Sequence, residues 1–319
     1  MRPILTITLN PALDLASAAP GIRPGPKLRC TPPTRDPGGG GLNVSRAIAH
    51  MGGTSRALAA LGGPNGEAVA GLLAAEGIDL IPLPAPGETR LSLAVTDSDT
   101  GGQYRFVLPG PDWSGTDPET LIARIAADCP QDALVVLSGS QPAGLPDDLP
   151  QRMVAPLGSA RLIVDTSGAP LMTLGRAPRA GAAPWVLRMD HAEAGELTGE
   201  TLDSAEKLAA AAQAMVGRGV AETVILAFGK DGSVMAGREL PRPLHGVAPY
   251  NTIVSTVGAG DSFVGGFTLA TARGDNPAEA LRMGVAAASA AVQTPATELC
   301  RAEDVARIAP LVRVTEIAL

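Results

Sequence analysis

Four apolar runs, each broken off by small and polar residues, limit the folds open to this chain more than any other feature. Ala133 to Leu137 ends in Ser138-Gly139-Ser140, and Arg161 to Val164 in Asp165-Thr166-Ser167-Gly168. Val186-Leu187 leads to Arg188-Met189-Asp190, and Thr223 to Phe228 to Gly229-Lys230-Asp231-Gly232. Short runs without polar alternation are strands buried on both faces. Helical stretches such as Ala205 to Val216 lie between them, which predicts right-handed βαβ units and a mostly parallel sheet. The polar residues then gather at strand C-termini, where open α/β sheets bind ligands.

The first half fits the same plan. Ile4 to Leu9 reads as a strand that meets Asn10-Pro11, with Asp14 in the turn beyond it, as a ligand-facing carboxylate or a turn former. Arg56 to Leu61 and Ile78 to Leu83 read as strands around a helix over Gly66 to Glu76. Two segments depart from the plan. Pro20 to Pro37 is too rich in Pro and Gly for a helix and reads as edge strands or a lid. Thr89 to Leu108 alternates as an antiparallel ribbon does, broken by Asp99-Thr100-Gly101-Gly102. Residues of about 12–36 and 88–109 are therefore expected to form a small β-sheet lid inserted into one domain that spans 1–319.

The formal charge of −7 excludes general nucleic-acid or anionic-membrane binding, which need a basic face. An anionic substrate must be met by a local cluster of cations. Cys30, Cys129 and Cys300 are far apart and odd in number, which suits a reducing compartment and offers no zinc-ligand spacing. Met1 to Leu9 lacks the pattern of a signal peptide, and apolar stretches such as Gly284 to Val292 fall short of a bilayer span, so a cytoplasmic protein is expected. His50, His191 and His245 are scattered and carry no nucleophilic or metal-binding motif.

Two glycine-rich turns carry the chemistry. In Ser255-Thr-Val-Gly-Ala-Gly-Asp-Ser-Phe, residues Gly258, Ala259 and Gly260 open a helix, whose free backbone N–H groups make an anion site. Asp261 directly behind them makes sense as a base that takes a hydroxyl proton during phosphoryl transfer, or simply as a capping residue. The second turn is Gly38-Gly39-Gly40-Gly41, leading into Leu42-Asn43-Val44. Four glycines in succession carry a large entropic cost and call for close backbone approach, which a bound sugar would supply. Asn43 in the first helical turn caps the helix or bonds a sugar hydroxyl. Neither turn is a dinucleotide fingerprint or a P-loop.

The two motifs, Gly38–Gly53 and Ser255–Gly266, resemble the paired signatures of the ribokinase/PfkB sugar kinases, and the likeness runs over nearly the whole chain. Lys27-Leu28-Arg29-Cys30-Thr31, Gln103-Tyr104-Arg105-Phe106-Val107 and Ser138-Gly139-Ser140 resemble the phosphofructokinase-2 branch. The resemblance implies a three-layer α/β/α fold, ATP and Mg²⁺, and transfer to a sugar phosphate. Fructose 6-phosphate is the first candidate acceptor, and fructose 1-phosphate or tagatose 6-phosphate the alternatives. A weakly catalytic, sugar-phosphate-binding regulatory protein is the alternative outside enzymes. The resemblance further implies that Asp261 is the base, that Gly258, Ala259 and Gly260 form the anion hole, and that Asp14, Gly39, Gly40 and Asn43 meet the sugar. Lys27, Arg90, Arg105 and Ser140 would hold its phosphate. Arg188, Asp190, Ser255, Gly229 and Gly232 fall on the nucleotide side, with Glu193 organising Mg²⁺ through water. The lid of such kinases commonly pairs across a homodimer, which would place Leu91, Leu93 and Val95 at an interface.

The nucleotide side departs from the family's pattern. Arg188-Met189-Asp190 stands in place of Lys-Pro-Asn, Ala227 in place of Ser or Thr, and Gln293-Thr294-Pro295-Ala296-Thr297 lacks the usual glycine. Asp190 adds a negative charge where an amide is usual, which bears on nucleotide affinity, metal binding and regulation.

Overall fold

The computed structural model describes residues 1–249, 252–295 and 297–319. Ala296, singled out above, lies outside the described residues. The chain opens with β1 (Ile4–Thr8), β2 (Ala12–Ala19) and β3 (Thr34–Gly38), then α1 (Gly40–His50), β4 (Arg56–Leu61), α2 (Gly63–Ala75) and β5 (Asp79–Pro84). Next come β6 (Arg90–Asp97), β7 (Gln103–Val107), α3 (Pro118–Asp128), β8 (Leu134–Ser138), α4 (Leu149–Val154), β9 (Arg161–Asp165) and α5 (Ala169–Arg176). The chain continues through β10 (Val186–Asp190), α6 (His191–Thr198), α7 (Ala205–Gly217), β11 (Thr223–Ala227), β12 (Ser233–Gly237) and β13 (Leu244–Val247). It closes with α8 (Ala259–Arg273), α9 (Pro277–Ala291), α10 (Ala302–Ile308) and β14 (Arg313–Glu316).

Ten strands form the main sheet in the order β14-β13-β12-β11-β10-β9-β8-β1-β4-β5. From β5 to β11 all neighbours are parallel, whereas β12, β13 and β14 are added antiparallel. The sheet is apolar on both faces, and the side chains divide with the period of two that a pleated strand imposes. Leu5, Ile7, Val135, Leu162, Val164, Leu187 and Leu226 belong to one core, with residues of α3 to α7. Ile4, Leu134, Val136, Ile163, Val186 and Ile225 belong to the other, with α1, α8, α9 and α10. The result is the expected three-layer α/β/α architecture.

The lid is a second sheet in the order β3-β2-β6-β7, built from the two predicted segments. Asp14 sits inside β2 rather than in a turn, because the chain resumes an extended course at Ala12 and pairs with both β3 and β6. Of the Pro- and Gly-rich stretch, only Thr34–Gly38 is a strand. Among the described residues no helix is long and apolar enough to cross a membrane.

α8 is held between α1 and α9 by adjacent glycines. A Cβ on Gly265 would lie 3.0 Å from the Cβ of Ala47 in α1, and one on Gly266 would lie 2.6 Å from the carbonyl oxygen of Met283 in α9. Backbone cannot yield as a side chain can, so Gly266→Val should destabilise the fold by about 1–3 kcal/mol or more through overpacking. Gly71→Ala, on α2 with open space at its Cβ, should stabilise by about 0.5–1 kcal/mol. Urea denaturation of both variants checks the contrast, and equal midpoints would contradict the packing argument.

Candidate active site

The four-glycine turn is required by the chain's own close approach, apart from any contact that a ligand makes. A Cβ on Gly38 would fall 2.3 Å from the carboxylate of Asp14, and one on Gly40 2.3 Å from Ser138 Oγ at the end of β8. On Gly41 it would meet the Ile7 carbonyl oxygen of β1 at 2.5 Å. Gly39 caps α1 at φ 120°, which L side chains rarely adopt. The turn thus carries α1 directly over the C-terminal ends of β1 and β8, with Asn43 in the first turn of the helix.

Asn43 makes no helix cap. Its Nδ2 donates to Asp261 Oδ2 at 2.9 Å, across 218 residues of sequence. Asp261 lies in the first turn of α8, behind Gly258, which caps the helix in the left-handed conformation at φ 76°. First-turn N–H groups have no intrahelical partner and face the space before the helix, although that of Ala259 also reaches the Thr256 carbonyl oxygen at 3.4 Å. Burial raises the Asp261 carboxyl to a pKa of about 7, and the charge of Asp165 adds to the rise. The Asn43 bond and the Arg188 guanidinium oppose it, while Asp14 contributes a smaller push upward. A carboxyl that titrates near neutrality is suited to accepting a proton.

Arg188, on β10, is the cation at the centre of this group. Its Nη1 donates to Asp165 Oδ1 at 3.1 Å, and the guanidinium lies against Gly260, whose Cβ would be 2.8 Å from Nη1. Burial lowers the Arg188 pKa, but Asp165, Asp261 and Glu193 more than offset that and leave it above its ordinary value. Its Nε is buried without a hydrogen-bond partner among the described residues. Asp165 was not among the residues singled out from the sequence. Its position at the end of a buried strand was the available signal.

A cleft of about 240 Å³ opens beside Arg188 at the start of α8. Gly229, Gly232, Ala259 and Gly260 line it, joined by Phe263 and Val285. Asp190 and Ser255 do not line it. Asp190 is the N-cap of α6, its Oδ1 accepting from the N–H groups of Ala192 and Glu193 at 2.9 and 2.8 Å, while Glu193 Oε2 accepts from the Asp190 N–H at 2.9 Å. Asp and Asn serve equally well at such a cap, which accounts locally for the departure at this position. Ser255 Oγ accepts from the Val257 N–H within its own loop. Burial raises the Glu193 pKa, the bond from Asp190 opposes this, and the charges of Asp190 and Asp165 raise it further.

The lid turns one face to the site. Asp14 pairs in register with Ser92 on one side and Asp36 on the other, and Arg90 and Arg105 stand at positions of the same parity. Burial raises the Asp14 pKa, while a Ser92 hydrogen bond, Arg90 and Arg105 hold it down. Arg90 donates to the Asn10 carbonyl oxygen, and Asn10 Nδ2 donates to Ser140 Oγ at 3.1 Å. Asn10 therefore ties together two of the predicted phosphate-binding residues, a role that its reading as a turn former concealed. Lys27 stands apart in the exposed stretch before β3, with no ion-pair partner among the described residues.

Comparison with known proteins shows the family. Residues 8–304 match the model of the pfkB family carbohydrate kinases. The chain is 37% identical over 310 residues to the ATP-dependent 6-phosphofructokinase isozyme 2 of Escherichia coli, covering 97% of this chain and 98% of that one. It is 30% identical over 316 residues to the 1-phosphofructokinase of Bacillus subtilis, covering 98% and 100%. The crystal structure of phosphofructokinase-2 from Escherichia coli in complex with fructose-6-phosphate superimposes with a TM-score of 0.87 at 35% identity, covering 97% of this chain and 99% of that one. With the family model matched over most of its length, the chain belongs to the pfkB family of carbohydrate kinases.

Proposed function

We propose that this kinase transfers the γ-phosphoryl group of ATP to the 1-hydroxyl of fructose 6-phosphate, with Asp261 as the base. The observation that carries the reading is the placement of Asp261 at the start of α8, between the polar lid face and the cleft at Arg188, with a pKa of about 7. The sugar lies under the lid against Asp14 and Asn43, and its phosphate is met by Arg90, Arg105 and Ser140. Asp261 accepts the hydroxyl proton as that oxygen bonds to the γ-phosphorus and the bond to the β–γ bridging oxygen breaks, which releases ADP. The N-terminus of α8 and the Arg188 guanidinium stabilise the equatorial oxygens of the transferring group. The lid excludes water, which would otherwise compete as acceptor.

Glu193 and Asp190 fit an Mg²⁺ ion. They are hard oxygen donors that crowd negative charge together with Asp165, and one oxygen of each enters the capping box, so a water-mediated ion shared with the nucleotide suits them better than an all-protein cage. When bound, Mg²⁺ neutralises phosphate charge.

The face of the lid opposite Asp14 supports association into a homodimer. Leu93 is paired in register with Phe106, and Val95 with Tyr104, so the four share this face. Leu91 packs onto the cluster beneath the lid, where α2 covers that end, and Val95 is buried too, both against expectation. Tyr104 and Phe106 remain 45% and 55% exposed, on a strand with a free edge. Such an apolar surface on an unpaired edge calls for a cover, and a second lid supplies one.

Four outcomes are expected. Asp261→Asn should lower kcat by about 10²–10⁴-fold while sugar phosphate and ATP still bind by calorimetry, and wild-type kcat/KM should fall about tenfold per pH unit below about pH 7, since the carboxylate is the working form. Activity of Asp261→Asn above a few per cent would remove the assignment. Among fructose 6-phosphate, fructose 1-phosphate, tagatose 6-phosphate, fructose and ribose at equal concentration, ADP release should be fastest with the first. Preference for fructose would discard the phosphate role of Arg90 and Arg105. Light scattering should give twice the chain mass of 32.2 kDa, reduced to a single chain by Phe106→Glu.

A further inference from the structure

Arg46 has no part in the chemistry described so far, yet it is 5% exposed and fully engaged. Its Nε and Nη2 clamp Glu76 at 2.7 and 3.0 Å, at the C-terminal end of α2. Nη1 is shared among Asn43 Oδ1 at 3.4 Å, the Thr297 carbonyl oxygen at 3.4 Å and the Pro37 carbonyl oxygen at 3.5 Å. An ion pair this buried is weak as a source of stability alone, since desolvation offsets most of the attraction. Its geometry points to the site.

The two ends of an asparagine amide are nearly the same shape, and only their partners decide which is which. Arg46 follows Asn43 by three residues on the same helix face, and a guanidinium has donors only. Oδ1 must therefore turn toward Arg46, which leaves Nδ2 to face Asp261. The reverse orientation would set the amide oxygen against the carboxylate, tolerable only when Asp261 is protonated. We infer that Arg46 is a positioning residue, which holds Asn43 in the one orientation that supports Asp261 as a charged base. This inference rests on the reading of Asp261 as the base and adds the group that keeps it ready.

The charged groups that face Asp261 directly are Asp165 at the end of β9, Arg188 on β10 and Asp14 on β2. Arg46 is not among them. Its effect is transmitted through Asn43, and that makes it separable from a general electrostatic contribution.

The test is the pH profile of kcat/KM for fructose 6-phosphate at saturating ATP and Mg²⁺, for wild type, Arg46→Met, Glu76→Gln, Asn43→Ala and the double variant Asn43→Ala/Arg46→Met. Arg46→Met should move the acid limb upward by about one pH unit, the size of effect that loss of a hydrogen bond to a charged carboxylate has, with activity near the wild-type level restored well above the limb. Glu76→Gln, at a site already a third exposed to solvent, keeps the test open if Arg46→Met does not fold, and should move the limb in the same direction by less. The double variant should match Asn43→Ala alone, because both changes interrupt one chain of bonds. A uniform loss of activity at every pH, or shifts that add in the double variant, would overturn the inference. An unmoved limb with an inactive Asp261→Asn enzyme would overturn only the role of Arg46, whereas an active Asp261→Asn enzyme would remove both readings.

Discussion

The site depends on how closely two helix N-termini can be brought to the ends of the parallel strands. α1 reaches β1 and β8 only because Gly40 and Gly41 leave room for Ser138 and the Ile7 carbonyl, and α8 reaches α1 only because Gly265 lets Ala47 approach. These contacts set the 2.9 Å bond between Asn43 and Asp261. A methyl group at any of these glycines would separate the helices before it touched a ligand. The glycines are thus a packing device whose product is the distance between Asn43 and Asp261.

Bringing carboxylates together at this point carries an electrostatic cost. Asp261 and Asp165 repel one another in a desolvated space, which would protonate one of them were Arg188 not placed between Asp165 and the start of α8. The arrangement leaves Asp261 near neutrality, where a small change in its partners alters its protonation most. That is why the orientation of one amide, set by Arg46, has leverage on it. The unpartnered Nε of Arg188 shows that the guanidinium is held by its charges more than by saturated hydrogen bonding.

What was legible in the sequence follows from how local each signal is. Buried strands announce themselves by uninterrupted apolar runs, so the sheet and the polar strand ends at Ser138, Asp165, Arg188 and Gly229 could be read directly. The helix start at Gly258 to Asp261 was equally plain, because a glycine turn that opens a helix is contained in a few residues. The bond from Asn43 to Asp261 was not legible, since its partner is 218 residues away and no local rule reaches that far. Arg46 and Glu76 look like ordinary surface charges until α2 packs beside α1. That the Asp190 side chain caps α6 was likewise hidden, because attention fell on its charge rather than on the helix that follows it.

The lid shows how one strand pattern can tie catalysis to association. Alternation places Asp14, Ser92 and Arg105 on one face, and the same alternation forces Leu93, Tyr104 and Phe106 to the opposite face. A lid thick enough to shield its own apolar side would need another layer, and the chain does not supply one there: Tyr104 and Phe106 stay open to solvent. The proposed pairing of two lids covers them without adding residues. It would also make the rigidity of the face that carries Asp14 depend on the partner, because a four-stranded sheet whose apolar face is partly open gains order when that face is packed.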